Sequence, residues 1–185
     1  MLKKSEDNLD SILKEGLAPR RALVNAGIKF EDVADADIID KRKKLDLDKY
    51  TPFHFHPYSS FDVAVKESHS NKNFMYICIT REIARANKFK ILPMHPLSLN
   101  DYQLYEYDEG FAKIDWDTLM EKGRSDDYAK HVKMAECLTD LLIPVKCFAA
   151  IYVKNDDLKK FVVEKLQEKK FDFPLPYVNT QKFWF

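Results

Sequence analysis

Within Lys133-Met134-Ala135-Glu136-Cys137-Leu138 a single carboxylate stands where a run of core-forming residues begins. Cys137, Leu138, Leu141, Leu142, Ile143, Val145, Phe148, Ile151 and Val153 follow, so 136–153 reads as one long strand region. Burying an unpaired carboxylate among such neighbours is expensive, and that leaves two readings of Glu136. It is either a strand-edge acid, solvated or paired with Lys133, or a site residue able to take a proton or balance a positive charge. Arg42 carries the complementary chemistry, because its planar guanidinium can clamp a phosphate or orient a carboxylate. Lys41, Lys43 and Lys44 around it equally suit a solvated helix face. His95, between Met94 and Pro96, offers an imidazole to a base edge or a phosphate, or is a loop histidine without a role. His54 and His56 alternate along a strand and share a face. No third or fourth ligand has zinc spacing, so they are expected to line a cleft and no metal is expected.

The chain that must position these groups has 185 residues and 45% apolar content, enough for one α+β domain over 1–185. Thirty basic residues balance thirty acidic ones, which argues against broad electrostatic capture of nucleic acid or of a membrane. A local basic face remains open: Lys113, Lys122, Arg124, Lys130, His131 and Lys133 precede Glu136, and Tyr102, Tyr105, Tyr107 and Tyr128 offer platforms for unstacked bases. The competing reading is solvated lysines and rim tyrosines. Cys78, Cys137 and Cys147 lie in apolar segments without ligand spacing and are expected as reduced core thiols. No signal peptide or membrane span is evident, and a cytoplasmic, monomeric protein is expected.

Hydrophobic spacing predicts a helix carrying Leu9, Ile12 and Leu13, capped by Ser5 or Asp7 and ended by Gly16. Further helices are expected over Arg20 to Ala26, closed by Gly27, and over Ala34 to Lys44, with Ile38 and Ile39 inward and Arg42 on an adjoining face. Tyr50 to Phe55, Phe74 to Ile79 and Lys90 to Leu92 have strand character. Ser60 to Lys66, a segment opened by Thr80, Trp116 to Lys122 and Asp156 to Lys169 read as helices. Asn100 to Glu109 is strand or loop, Gly123 to Asp127 a mobile break, and the C-terminus an extended chain punctuated by prolines.

Taken in order, Asn8-Leu9-Asp10-Ser11-Ile12-Leu13-Lys14-Glu15-Gly16-Leu17, Val33 to Arg42, Thr51-Pro52-Phe53-His54-Phe55, Met94-His95-Pro96-Leu97, Ile114-Asp115-Trp116 and Ala135-Glu136-Cys137-Leu138 resemble the DarT family of DNA ADP-ribosyltransferases. The resemblance spans nearly the whole chain. It implies a compact ADP-ribosyltransferase-like fold with a central, mostly antiparallel split sheet flanked by helices. It also implies NAD as co-substrate, a base of single-stranded DNA as acceptor, and a toxin role opposed by a macrodomain antitoxin of the DarG type. Glu136 then matches the catalytic glutamate and Arg42 the family arginine, and Asn8, Leu17, Arg42, His54 and Phe55 fall beside the cofactor. His95, Tyr128, Lys130 and Lys133 fall on the DNA side.

Two positions depart from the family pattern. Relatives open with a strand carrying a histidine just ahead of the Asn-Leu pair, whereas Ser5 stands three residues before Asn8, so that strand is expected to be largely missing. Tyr58 follows His56-Pro57 where an arginine is expected. A same-fold transferase acting on RNA, a nucleotide or protein, and a non-catalytic nucleic-acid-binding relative, are the alternative functions.

Overall fold

Asp140 and Pro144 split the 136–153 run into two short strands that belong to different sheets. The computed structural model describes residues 2–57, 59–95 and 102–185, and for 2–6 and 60 the backbone alone. In it β5 (Glu136–Thr139) and β6 (Ala150–Val153) are separated by a turn and a 3-10 helix over Val145–Cys147. Thr139 Oγ1 accepts from the Leu141 N–H at 3.1 Å, a local bond that turns the chain out of the sheet. Leu141 and Leu142, expected in the strand interior, are 46% and 56% exposed on that turn. Ile143 returns to the core by a two-way backbone bridge with Leu17 at 2.9 Å.

One sheet has four strands, in the order β1 (Leu2–Ser5), β3 (Phe74–Cys78), β6, β7 (Tyr177–Thr180). All pairs are antiparallel except β6 with β7. The opening strand that the sequence was expected to lack is therefore present as β1, held by backbone pairing of Leu2 to Ser5 against Ile77 to Phe74. Backbone pairing needs no particular side chain, so the missing histidine does not cost the strand. The second sheet has β5 in the centre, antiparallel to both β2 (Thr51–His54) and β4 (Lys90–Leu92). Two small sheets with a mostly antiparallel ladder are the expected split arrangement.

The helices are short and most of them carry a side-chain N-cap, because few are long enough to persist without caps and packing. They are α1 (Leu9–Glu15), α2 (Arg20–Asn25), α3 (Ala36–Lys44), α4 (Ser60–Ser68), α5 (Arg81–Ala86), α6 (Tyr107–Lys113), α7 (Trp116–Met120), α8 (Asp127–Val132) and α9 (Asp156–Glu168). Asp35, Ser59, Thr80, Asp115, Asp126 and Asn155 each accept a backbone N–H at an N-terminus. Ser59 and Asp62 complete a reciprocal capping box. Helix α6 takes up the end of the stretch expected as strand or loop, whereas Gly123 to Asp126 is irregular as expected and leads into α8, with Arg124 tied to Asp126 at 2.6 Å. Tyr58, and Asn100 and Asp101 at the start of the acidic tyrosine-rich stretch, lie outside the described residues. Cys78, Cys137 and Cys147 are free thiols, with burial pushing Cys137 up to about 12.

The main core packs Leu9 and Leu13 of α1 and Leu158, Val162 and Leu166 of α9 together with Met75, Ile77, Ile151 and Val153 of the four-stranded sheet. A smaller cluster, Leu47, Leu92 and Leu138, seals the outer face of the second sheet. Helix α6 lies on β4 through Gly110, where an added Cβ would stand 2.5 Å from Ile91 Cβ and 2.8 Å from Tyr105 Cβ. Those atoms sit on backbone that is already bridged, so neither can retreat. Gly110→Ala is expected to cost about 2 kcal/mol through overpacking, read in thermal denaturation as a Tm lower by roughly 4–8 °C.

Candidate active site

Antiparallel register places His54 of β2 directly opposite Glu136, and Leu92 of β4 opposite it on the other side. Glu136 is thus the first residue of the central strand and is only 2% exposed. What accompanies it is α3. Ile38, Ile39 and Arg42 are three and four residues apart and share one helix face, turned toward the sheet. Arg42 Nη1 donates to Glu136 Oε1 at 2.8 Å and to Oε2 at 3.0 Å. One nitrogen straddles both oxygens, leaving Nη2 shielded from solvent and without a hydrogen-bond partner among the described residues. Glu136 is neither solvated nor paired with Lys133, whose Nζ donates to the Arg124 carbonyl at 2.6 Å.

Histidines surround the pair. Burial holds His54 below its ordinary value of 6.5 against the opposing pull of the Glu136 carboxylate, so its ring is neutral at pH 7. His95 is also lowered, first by burial, with Glu136 opposing and His131 and Arg42 reinforcing. His56 is pinned between carbonyls, Nε2 at 2.9 Å from the Lys133 oxygen and Nδ1 beside the Pro57 oxygen. Among the described residues no group of three or more His, Cys, Asp or Glu is arranged to hold a metal.

Glu136, Arg42, His54, His56, His95 and His131 face a cleft of about 460 Å³ that is also lined by the loop Phe30 to Ala34. Three contacts hold that loop. The Asn8 side-chain amide donates to the Glu31 carbonyl at 2.9 Å and accepts from the Glu31 N–H at 2.7 Å. Arg20 Nε donates to Asp32 at 2.7 Å, its guanidinium lying over the Phe30 ring. Lys72 bridges Glu31 and Asp7. Deeper in, Asp48 is paired with Arg21, which holds its carboxyl below the ordinary range.

Of the residues singled out from the sequence, Glu136, Arg42, His54, His95, Asn8 and Lys130 line one cleft. Leu17 does not: it is 2% exposed and packs in the core. Phe55, expected beside the cofactor, does not line the cleft and is edge-on to Phe111 and Trp116. Tyr128 donates to Asp115 at 2.9 Å, and Tyr107 is buried on Phe111. Tyr102 donates to the Leu45 carbonyl. The basic segment is largely neutralised, with Arg124 on Glu121 and Asp126 and Lys130 on Asp127. The loop wall escaped the sequence reading because Asn8 and Glu31, 23 residues apart, meet only in the fold. The Ile38-Ile39 pair just ahead of Arg42 was the available signal for the apolar side.

The model of the single-stranded-DNA thymidine ADP-ribosyltransferase DarT matches residues 5–185. No curated protein matches. Among solved structures, Thermus sp. 2.9 DarT in complex with ADP-ribosylated ssDNA superposes with a TM-score of 0.82 at 20% identity, over 99% of this chain and 93% of that one. The same protein in complex with NAD+ gives 0.78 at 17% identity, over 99% and 94%. Thermosipho africanus DarTG in complex with ADP-ribose gives 0.81 at 19% identity, over 100% of this chain and 50% of that one. These likenesses agree on one fold, and because the family pattern runs almost from end to end, the chain belongs to the DarT family of ADP-ribosyltransferases.

Proposed function

We propose that this protein transfers ADP-ribose from NAD to a thymine base of single-stranded DNA, with Glu136 and Arg42 as its catalytic residues. The observation that carries the reading is a carboxylate 2% exposed, held by a guanidinium and facing a cleft of about 460 Å³, within the range of volumes that hold small ligands. NAD bound there supplies an electrophilic ribose carbon as the bond to nicotinamide breaks. The base nitrogen donates its electron pair to that carbon, nicotinamide leaves with the pair of the broken bond, and the base proton passes to Glu136. Glu136 also balances positive charge on the ribose in the dry interior. Arg42 fixes the carboxylate and leaves Nη2 for a further acceptor.

The Phe30 to Ala34 loop and the Ile38-Ile39 face supply an apolar wall for the dinucleotide. Asn8 acts on it through Glu31, since its amide is already used there. Neutral His54 and His95 add no charge beside Glu136 and Arg42. A toxin role with a DarG-type macrodomain partner is supported by the Thermosipho DarTG likeness, in which this chain spans half the length. Cytoplasmic action follows from a DNA acceptor, and no described helix is long and apolar enough to cross a membrane.

Incubation with NAD and thymine-containing single-stranded oligonucleotides is expected to add the mass of one ADP-ribose, and Glu136→Gln to abolish the gain. A gain on RNA or protein alone selects the alternative acceptor, and no gain on any of these overturns the transferase reading. Arg42→Lys keeps the charge but not the planar fork, and is expected to lower kcat roughly 100-fold, checked by nicotinamide release at saturating NAD. The lowered His54 and His95 set the pH dependence. A histidine depressed in the folded state stabilises it above the unfolded value of 6.5, and the contribution is lost as pH falls through the folded value. Urea denaturation is expected to show stability falling below about pH 6.5, with a shallower fall in His54→Gln.

A further inference from the structure

Arg20 opens α2, and its guanidinium carbon lies 5.9 Å from the centroid of the Phe30 ring, where both residues line the cleft that contains Glu136. Only one of its nitrogens is engaged. Nε donates to Asp32 Oδ2 at 2.7 Å, and Asp32 is itself fixed because its other oxygen accepts the Ala34 N–H at 3.2 Å. Neither Nη nitrogen has a hydrogen-bond partner among the described residues, and the side chain stays 36% exposed. The free end of the guanidinium is a planar fork of the kind that matches two phosphate oxygens. Other cations lining the cleft are less available. Arg42 gives Nη1 to Glu136 and keeps Nη2 shielded from solvent, while Lys130 is paired with Asp127 at 3.2 Å.

We propose that Arg20 binds the pyrophosphate of NAD through its free fork, with Asp32 as the residue that positions it. The inference rests on the transferase reading and deepens it by assigning a cofactor contact apart from the Arg42–Glu136 pair. Seating NAD in a cleft of about 460 Å³ strips water from its charged pyrophosphate, a cost that charge-assisted hydrogen bonds offset. Phe30 beneath the guanidinium and Asp32 at Nε hold the group before the ligand arrives, so little side-chain freedom is lost on binding. The pyrophosphate is the same in bound NAD and in the transition state, because the bond that breaks joins ribose to nicotinamide. Losing the contact therefore weakens binding and leaves the chemical step nearly intact.

Calorimetric titration with NAD and with ADP-ribose, together with steady-state nicotinamide release, tests this. Arg20→Ala is expected to raise the Kd of both ligands and the NAD KM about tenfold or more, with kcat at saturating NAD within about threefold of the wild type. Arg20→Lys keeps the charge without the fork and is expected to fall between the two. Loosening of the Phe30 to Ala34 loop would weaken binding without changing its salt dependence, so titrations at about 50 mM and about 300 mM NaCl separate the two causes. Salt is expected to weaken NAD binding to the wild type by a larger factor than binding to Arg20→Ala. A smaller rise in Kd, a loss confined to NAD and absent with ADP-ribose, or equal salt sensitivity in the two proteins overturns the contact. Base modification by the wild type with NAD Kd unchanged in Arg20→Ala removes the contact and keeps the reaction. Binding that depends on Arg20, without transfer to any acceptor, keeps the contact and removes the reaction.

Discussion

The ion pair between Arg42 and Glu136 is the constraint around which the rest is arranged. A carboxylate at 3% side-chain exposure and a guanidinium at 16% have left much of their water, and each is tolerable only because the other is 2.8 Å away. That distance has structural requirements. Helix α3 must start at Asp35 and present Arg42 in its last turn, and β5 must sit between β2 and β4 in a register that buries its first residue. Exchanging the pair for apolar residues of similar volume would relieve the desolvation cost. The fold retains it, which is consistent with a pair kept for chemistry.

The cleft beside that pair is bounded by elements far apart in the chain and tied by side chains. Asn8, at the entrance to α1, uses both ends of its amide on the Glu31 backbone, so it caps no N–H of its own helix. Arg20 with Asp32 and Lys72 with Glu31 and Asp7 hold the same loop from two other sides. A segment without regular secondary structure thereby becomes a fixed wall. Elsewhere along the cleft, His54 and His95 supply polar rings that add no charge beside Glu136.

Much of this was legible residue by residue. The caps at Thr80 and ahead of Phe61, the 3.6-residue spacing of Leu9, Ile12 and Leu13, and the exclusion of an unpaired charge from apolar sequence are local rules, and α1, α4, α5 and Glu136 followed them. Errors arose where local character was ambiguous. Tyr107 and Phe111 have strand propensity but form α6, because Gly110 allows a helix to lie against Ile91. Apolar Leu141 and Leu142 suggested a continuing strand, yet Thr139 turns the backbone and exposes them. Strand β1 forms although the family histidine is absent, because it depends on backbone pairing with β3.

Sequence by itself determined which residues carry chemistry, since ionisability, planarity and aromaticity belong to the side chain wherever it sits. It also determined the family, through short anchors in a fixed order. Tertiary structure alone decided which of those residues meet. Arg42 and Glu136 are 94 positions apart and share hydrogen bonds, while Phe55, one residue from His54, faces the other way. The physical reason is that strand alternation sends neighbours to opposite faces, and contacts between distant elements depend on how sheets and helices pack, which no local spacing specifies.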